Sequence, residues 1–199
     1  MGRRSLRCAV FLDRDGVLNA SVIREGKPYP PKDLAELRIT PEAPECLLRL
    51  RRAGFLLIVA SNQPDVARGT QTRESVEEIN DALRAAMPID AFHVCYHDNK
   101  DACACRKPAP GMLVVAAERF GIDLAQSYMI GDRWIDVEAG RRAGCRTVFL
   151  DFGYDERRPE TVPDMTARSL AEGVAWILAQ SPSASALERS AMPETDPIS

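Results

Sequence analysis

CAVFLDRDGVLN, residues 8–19, runs from a short apolar stretch straight into two aspartates two positions apart. CAVFL reads as a buried strand, and the i, i+2 spacing sends both carboxylates, Asp13 and Asp15, to one side where that strand ends. The same D-x-D-G string opens calcium-binding EF-hand loops. Here a strand precedes it, the following alternate positions carry no ligands and the distal glutamate is missing, so an acidic pair at a strand end is the better reading.

Outward from this stretch, apolar runs alternate with amphipathic segments. PEAPECLLRLRRAG (41–54), TRESVEEINDALRAAM (72–87), PGMLVVAAERFG (110–121) and residues 134–143 read as helices; FLLIVAS (55–61), AFHVCY (91–96), SYMIGD (127–132) and CRTVFLD (145–151) read as strands. Runs separated by helices form βαβ units, which predicts an α/β fold: a Rossmann-like three-layer sandwich whose mainly parallel central sheet is buried on both faces. RRAG closes two of the helices, at 51–54 and 141–144, where Gly54 and Gly144 fit the left-handed position past a helix end. Residues 20–40, with Pro28, Pro30 and Pro31, read as a loop, and 167–180 as a last packing helix. Residues 1–180 are expected to form a single domain, and 181–199, which lack apolar periodicity, a flexible tail.

The chain of 199 residues balances 26 basic against 29 acidic side chains, for a net charge of −3. That balance argues against nucleic-acid or membrane partners. The opening MGRRSLRCAVFL lacks the features of a secretory leader, and no stretch approaches the roughly 18 apolar residues of a membrane span. A cytoplasmic setting follows, in which cysteines serve as thiols or metal ligands rather than disulfides. Nothing demands a dimer, so a monomer is expected.

Paired carboxylates suit phosphoryl transfer, with Asp13 attacking phosphorus and Asp15 protonating the leaving alkoxide and later activating water. Two carboxylates repel a phosphate dianion, so a divalent cation is required, and Mg²⁺ suits oxygen ligands. Ligands of open α/β sheets bind outside the carboxyl edge, so the remaining groups are sought at other strand ends. FLLIVAS ends in Ser61-Asn62-Gln63, offering a hydroxyl and backbone N–H groups to phosphate oxygens. SYMIGD ends in Asp132, a second carboxylate for Mg²⁺, with Asp136 a helical turn on as a supporting partner or a solvated helix residue. Each piece alone is a common turn or helix cap; their occurrence together at successive strand ends carries the reading.

Between these lies CYHDNKDACACRKP (95–108), with the spacing C-x-H-x5-C-x-C. Cys95, His97, Cys103 and Cys105 supply the four soft or borderline ligands of a closed tetrahedral Zn²⁺ site, whereas a redox site would want C-x-x-C opening a helix. Cys8, Cys46 and Cys145 read as small core residues, and His93 as a strand residue. Next come two cations: Lys107 to hold the transferring phosphoryl group, and Arg106 to fork onto a substrate oxygen or a second phosphate.

In their order over residues 8–150, the DxDG, SNQ, lysine and GDxxxD blocks resemble the haloacid dehalogenase (HAD) superfamily of phosphohydrolases. FLDRDG, SNQ, C-x-H…C-x-CRKP-x-PGM and GDR resemble its zinc-containing branch, which acts on heptose bisphosphates and histidinol phosphate. The resemblance implies Asp13 as nucleophile, Asp15 as acid/base, Ser61 and Lys107 on the phosphoryl group and Arg106 on the substrate. It further implies Mg²⁺ held by Asp13, the Asp15 main chain and Asp132, with Asn19, Asn62, Gln63, Pro64 and Arg133 facing the substrate. CRKPAPGM and the ARG at 67–69 favour a heptose 1,7-bisphosphate, with histidinol phosphate or another small ester as the alternative; a nucleic-acid 3′-phosphatase or a nucleic-acid-binding zinc module is disfavoured by the acidic balance. Pro64-Asp65 stands where the family has Ser-Gly, Val17 where it has Thr, and no insertion is long enough for a large cap domain.

Overall fold

The computed structural model describes residues 6–180; the tail expected over 181–199 lies outside the described residues. Eight strands and five α-helices follow in chain order: β1 (Ala9–Leu12), β2 (Val22–Arg24), β3 (Lys27–Tyr29), α1 (Ala43–Arg52), β4 (Leu56–Asn62), α2 (Arg73–Ala86), β5 (Ala91–Cys95), α3 (Gly111–Phe120), β6 (Tyr128–Gly131), α4 (Trp134–Ala143), β7 (Arg146–Leu150), β8 (Met165–Ala167) and α5 (Leu170–Gln180). Six strands make one sheet in the order β5-β4-β1-β6-β7-β8, every pair parallel. This is the Rossmann-like three-layer α/β sandwich expected from the alternation of runs.

The period of two along β1 divides the core. Val10 and Leu12 pack with Leu47 and Leu50 of α1, Ile79 and Leu83 of α2, and Val174 and Ile177 of α5. Ala9 and Phe11 face the opposite layer with Leu113 and Ala116 of α3. Each of these leucines and isoleucines is fully buried, a contribution of about 2 kcal/mol per side chain. Thr72 caps α2, its Oγ1 accepting from Ser75 N–H at 3.1 Å. Gly54 and Gly144 take φ of +91° and +87° just past α1 and α4, as their RRAG phrases predict.

Two segments differ from the sequence reading. The segment 20–40 contains a hairpin, β2 pairing antiparallel with β3. Its turn residues Glu25 and Gly26 sit at φ of +50° and +73°, the left-handed geometry a two-residue hairpin turn requires. The last helix begins at Leu170, because Met165–Ala167 joins the sheet edge as β8; so short an edge strand carries no readable period. Among the described residues no cap domain interrupts the sandwich, and no helix is long and apolar enough to cross a membrane.

The sheet's direction reverses its connectivity at β1, whose neighbours are β4 and β6. Asp13 N–H extends the ladder onto Ile130 C=O at 2.9 Å. The first acidic residue is thereby fixed beside the end of β6, in the crevice where parallel sheets bind ligands.

Candidate active site and metal centres

Asp13 follows β1, Asp132 follows β6, Asp136 lies in the first turn of α4 and Lys107 precedes α3. Lys107 is fully enclosed, with Nζ 2.9 Å from Asp13 Oδ1 and 2.6 Å from Asp136 Oδ1. Asp13 Oδ1 also accepts from Arg14 N–H at 2.7 Å. Oxygens of Asp13, Asp132 and Asp136 all lie within 4.8 Å of one another. Three buried carboxylates thus face one ammonium. Burial pushes Asp13 up to about 6, helped by Asp136 and Asp15 and opposed by Lys107. Burial, then Asp13 and Asp136, raise Asp132 well above the usual carboxylate range.

Both Asp132 oxygens are buried and receive no hydrogen bond. An orphaned carboxylate among like charges is the donor set a hard divalent cation fits, because such an ion supplies the missing positive charge and prefers oxygen ligands. The backbone makes room for it: Gly16 has φ of +86°, and a Cβ there would stand 1.8 Å from Asp132 Oδ2. Asp136, left open by the sequence between support and solvent, is wholly buried, so the solvated alternative is excluded. Its other oxygen accepts from Arg133 N–H at 3.0 Å.

Asp15 edges the cleft with four donors on its two oxygens. Arg14 Nε and Asn19 Nδ2 reach Oδ1 at 3.1 and 3.0 Å; Arg14 Nη2 and Gln63 Nε2 reach Oδ2 at 3.1 and 2.7 Å. Gln63 Nε2 also donates to Ser61 Oγ at 2.8 Å. Asn19 and Gln63, which the resemblance places against substrate, are fully buried here and touch Asp15 instead. Asn62 borders the cleft, but its amide is spent on the Lys107 main chain: Nδ2 donates to Lys107 C=O and Oδ1 accepts from Lys107 N–H, both at 3.0 Å. Pro64 lines the cleft wall. Arg14, the residue between Asp13 and Asp15, has no role assigned from the sequence; a lone arginine at the end of a buried strand is the signal that points to it.

The cleft encloses about 310 Å³ between the hairpin and the loops after β4, β5 and β6. Lys27, Arg68, Arg106 and Arg133 all reach it. Arg133 forks onto Glu156 at 2.8 and 2.6 Å, and Arg68 pairs with Asp98 and Asp65 at 2.6 and 3.3 Å. Arg106 is held by neutral groups, Asn99 Oδ1 at 2.8 Å and His97 C=O at 3.3 Å. Its charge is therefore available to an anion, whereas that of Arg133 is largely cancelled by Glu156.

At the end of β5, Cys95, His97, Cys103 and Cys105 come together as the sequence spacing predicts, with all four ligand atoms within 4.8 Å of one another. Cys105 Sγ lies 3.2 Å from Cys95 Sγ, 3.3 Å from Cys103 Sγ and 3.3 Å from His97 Nδ1. Three sulfurs and one imidazole nitrogen in a tight tetrahedron are the soft donor set that zinc fits. Burial drives the Cys95 thiol up to about 12. Burial also acts upward on Cys103, but hydrogen bonds from Cys105 and the Arg106 N–H outweigh it and bring that thiol down to about 7.

The parallel sheet, with its acidic carboxyl edge and no cap domain among the described residues, is the architecture of a HAD-type phosphoric monoester hydrolase. A HAD-hydrolase-like family model matches residues 104–173. A D-glycero-D-manno-heptose-1,7-bisphosphate 7-phosphatase of Thermosynechococcus vestitus is 34% identical over 86% of this chain and 95% of its own length. The D-glycero-beta-D-manno-heptose-1,7-bisphosphate 7-phosphatase of Pseudomonas aeruginosa is 36% identical over 76% of this chain and 85% of its own. Among solved structures, the D,D-heptose 1,7-bisphosphate phosphatase of B. bronchiseptica, crystallised with magnesium and phosphate, superposes with a TM-score of 0.74 at 30% identity, covering 87% of this chain and 99% of that one. The chain belongs to the heptose-1,7-bisphosphate 7-phosphatase family of HAD-like hydrolases.

Proposed function

We propose that this chain removes the 7-phosphate of a D-glycero-D-manno-heptose 1,7-bisphosphate through an aspartyl-phosphate intermediate. The observation that carries the reading is the buried Asp13–Lys107 pair beside the orphaned Asp132, in a cleft open to small esters. Asp13 attacks phosphorus, and the departing sugar alkoxide takes a proton from Asp15. Asp15 then removes a proton from water, which attacks the phosphoaspartate, releasing inorganic phosphate and restoring Asp13. Lys107 Nζ and Ser61 Oγ hold the phosphoryl oxygens, and Asp136 keeps Lys107 charged and aimed. Mg²⁺, held by Asp13, the Asp15 main chain and Asp132, would neutralise the charge gathering on the phosphoryl group. Cys95, His97, Cys103 and Cys105 would hold Zn²⁺ with four protein ligands, and the ion would serve to fix the loop carrying Arg106 and Lys107.

Arg106, the cleft guanidinium with no carboxylate of its own, is assigned to the phosphate that is not hydrolysed. Arg133 with Glu156 presents a near-neutral, hydrogen-bonding wall suited to sugar hydroxyls, and Pro64 a flat one. The test is kcat/KM across heptose 1,7-bisphosphate, histidinol phosphate and a 3′-phosphorylated oligonucleotide. An advantage of about 10-fold for the bisphosphate is expected, the worth of one charge-assisted contact at the rim of the cleft; equal or better turnover of either rival would reject the heptose assignment.

A further inference from the structure

Arg14 has no solvent exposure, and a buried guanidinium is costly unless its donors are met. Two of its nitrogens fork onto Asp15. The third, Nη1, donates to Asn80 Oδ1 of α2 at 3.1 Å, and Asn80 is itself fully buried. Asn80 Nδ2 in turn donates to Glu77 Oε2 at 3.3 Å. The other oxygen of Glu77 accepts from the hydroxyl of Tyr96, whose ring lies under Arg73 at 4.7 Å. Tyr96 stands between Cys95 and His97. A continuous hydrogen-bonded chain therefore runs from Tyr96, the covalent neighbour of two members of the cysteine-histidine cluster, through α2 to the carboxylate of Asp15.

We infer that Arg14 is the positioning residue of the acid/base, and that Asn80, Glu77 and Tyr96 anchor its guanidinium to the strand end from which the metal loop departs. The inference rests on the acid/base reading of Asp15 above. Of the four donors on Asp15, Asn19 and Gln63 come from loops; Arg14 alone is braced from the helix layer, and its planar fork fixes the plane of the carboxylate. A lysine would keep the charge and lose the plane.

The test separates the two chemical steps. Departure of an alkoxide needs the proton of Asp15, departure of p-nitrophenolate does not, and hydrolysis of the phosphoaspartate needs the base whichever ester was used. Rapid mixing of the magnesium-loaded Arg14→Lys protein with p-nitrophenyl phosphate is expected to give a burst of about one equivalent of p-nitrophenolate and then slow turnover. Its kcat on a sugar phosphate should fall by about 30-fold with KM little changed, part of the 10²–10⁴-fold that a positioned acid/base supplies. Asn80→Ala, which keeps the fork and removes its brace, should show the same pattern at about 5-fold, and carries the test if Arg14→Lys does not fold. Asp15→Asn is the reference. If it shows the burst while well-folded Arg14→Lys and Asn80→Ala retain full turnover, or lose both steps equally, the positioning role is wrong. If Asp15→Asn itself gives neither burst nor loss, the acid/base assignment has failed instead.

Discussion

Two clusters sit at the ends of β1, β6 and β5, and they solve opposite problems. The oxygen cluster of Asp13, Asp132 and Asp136 is short of positive charge: burial lifts Asp13 and Asp132 out of the usual carboxylate range, and both Asp132 oxygens lack a donor. The sulfur cluster of Cys95, His97, Cys103 and Cys105 is closed, each ligand atom facing the others. One cluster keeps buried oxygens that no donor meets; the other turns its ligand atoms on one another. They share one peptide segment, since Cys105 ends the second and Lys107 enters the first.

The comparison breaks most sharply at the nucleophile. Asp13→Asn should lower kcat by on the order of 10⁵-fold while circular dichroism stays native, because only the attacking atom is lost; substantial turnover would remove the mechanism. Next in size, Cys103→Ser should release zinc and lower unfolding stability by several kcal/mol, against roughly 10 kcal/mol or more that structural zinc supplies in small peptides. Unchanged metal content and melting temperature would show the cluster to be plain thiols.

Stability against pH sharpens the contrast further. With Asp13 at about 6 in the folded protein and 3.8 as its ordinary value, the native state binds more protons than the unfolded one between these limits. Metal-free protein should therefore lose stability as pH rises from about 4 to 6. Mg²⁺ should flatten that slope, and denaturant titrations with and without the ion would read it. The smallest effect belongs to the rim: Arg106→Ala should raise KM for a bisphosphate about 10-fold and leave a monophosphate little affected, the loss of one charge-assisted contact. An equal rise for both esters would move Arg106 from the second phosphate to the first.

The sheet, its strands β1, β4, β5, β6 and β7 and the helices between them were legible because buried parallel strands and amphipathic helices announce their periods. The Cys/His cluster was legible because all its ligands fall within a few residues of one another. What escaped was either short or long-range. β8 and the hairpin β2–β3 are too brief for a period. Asn19, Gln63 and Asn62 were assigned by position in a motif, whereas their side chains turn inward to Asp15 and to the Lys107 main chain, a choice made by partners in other segments. The fork of Arg133 on Glu156 joins residues 23 positions apart, and the Arg14–Asn80 contact spans 66; neither leaves a local trace.

Asn62 grips the Lys107 main chain by both its N–H and its C=O, never by its side chain. The strand end thus reads position rather than identity, as a bookmark holds a page whatever is printed on it. All the chain between these residues, α2 and the cysteine-histidine loop included, returns to a fixed point. Rim residues such as Arg68 and Asn99 belong to that excursion. That excursion can be lengthened or redrawn while the Lys107 ammonium stays in register with Asp13.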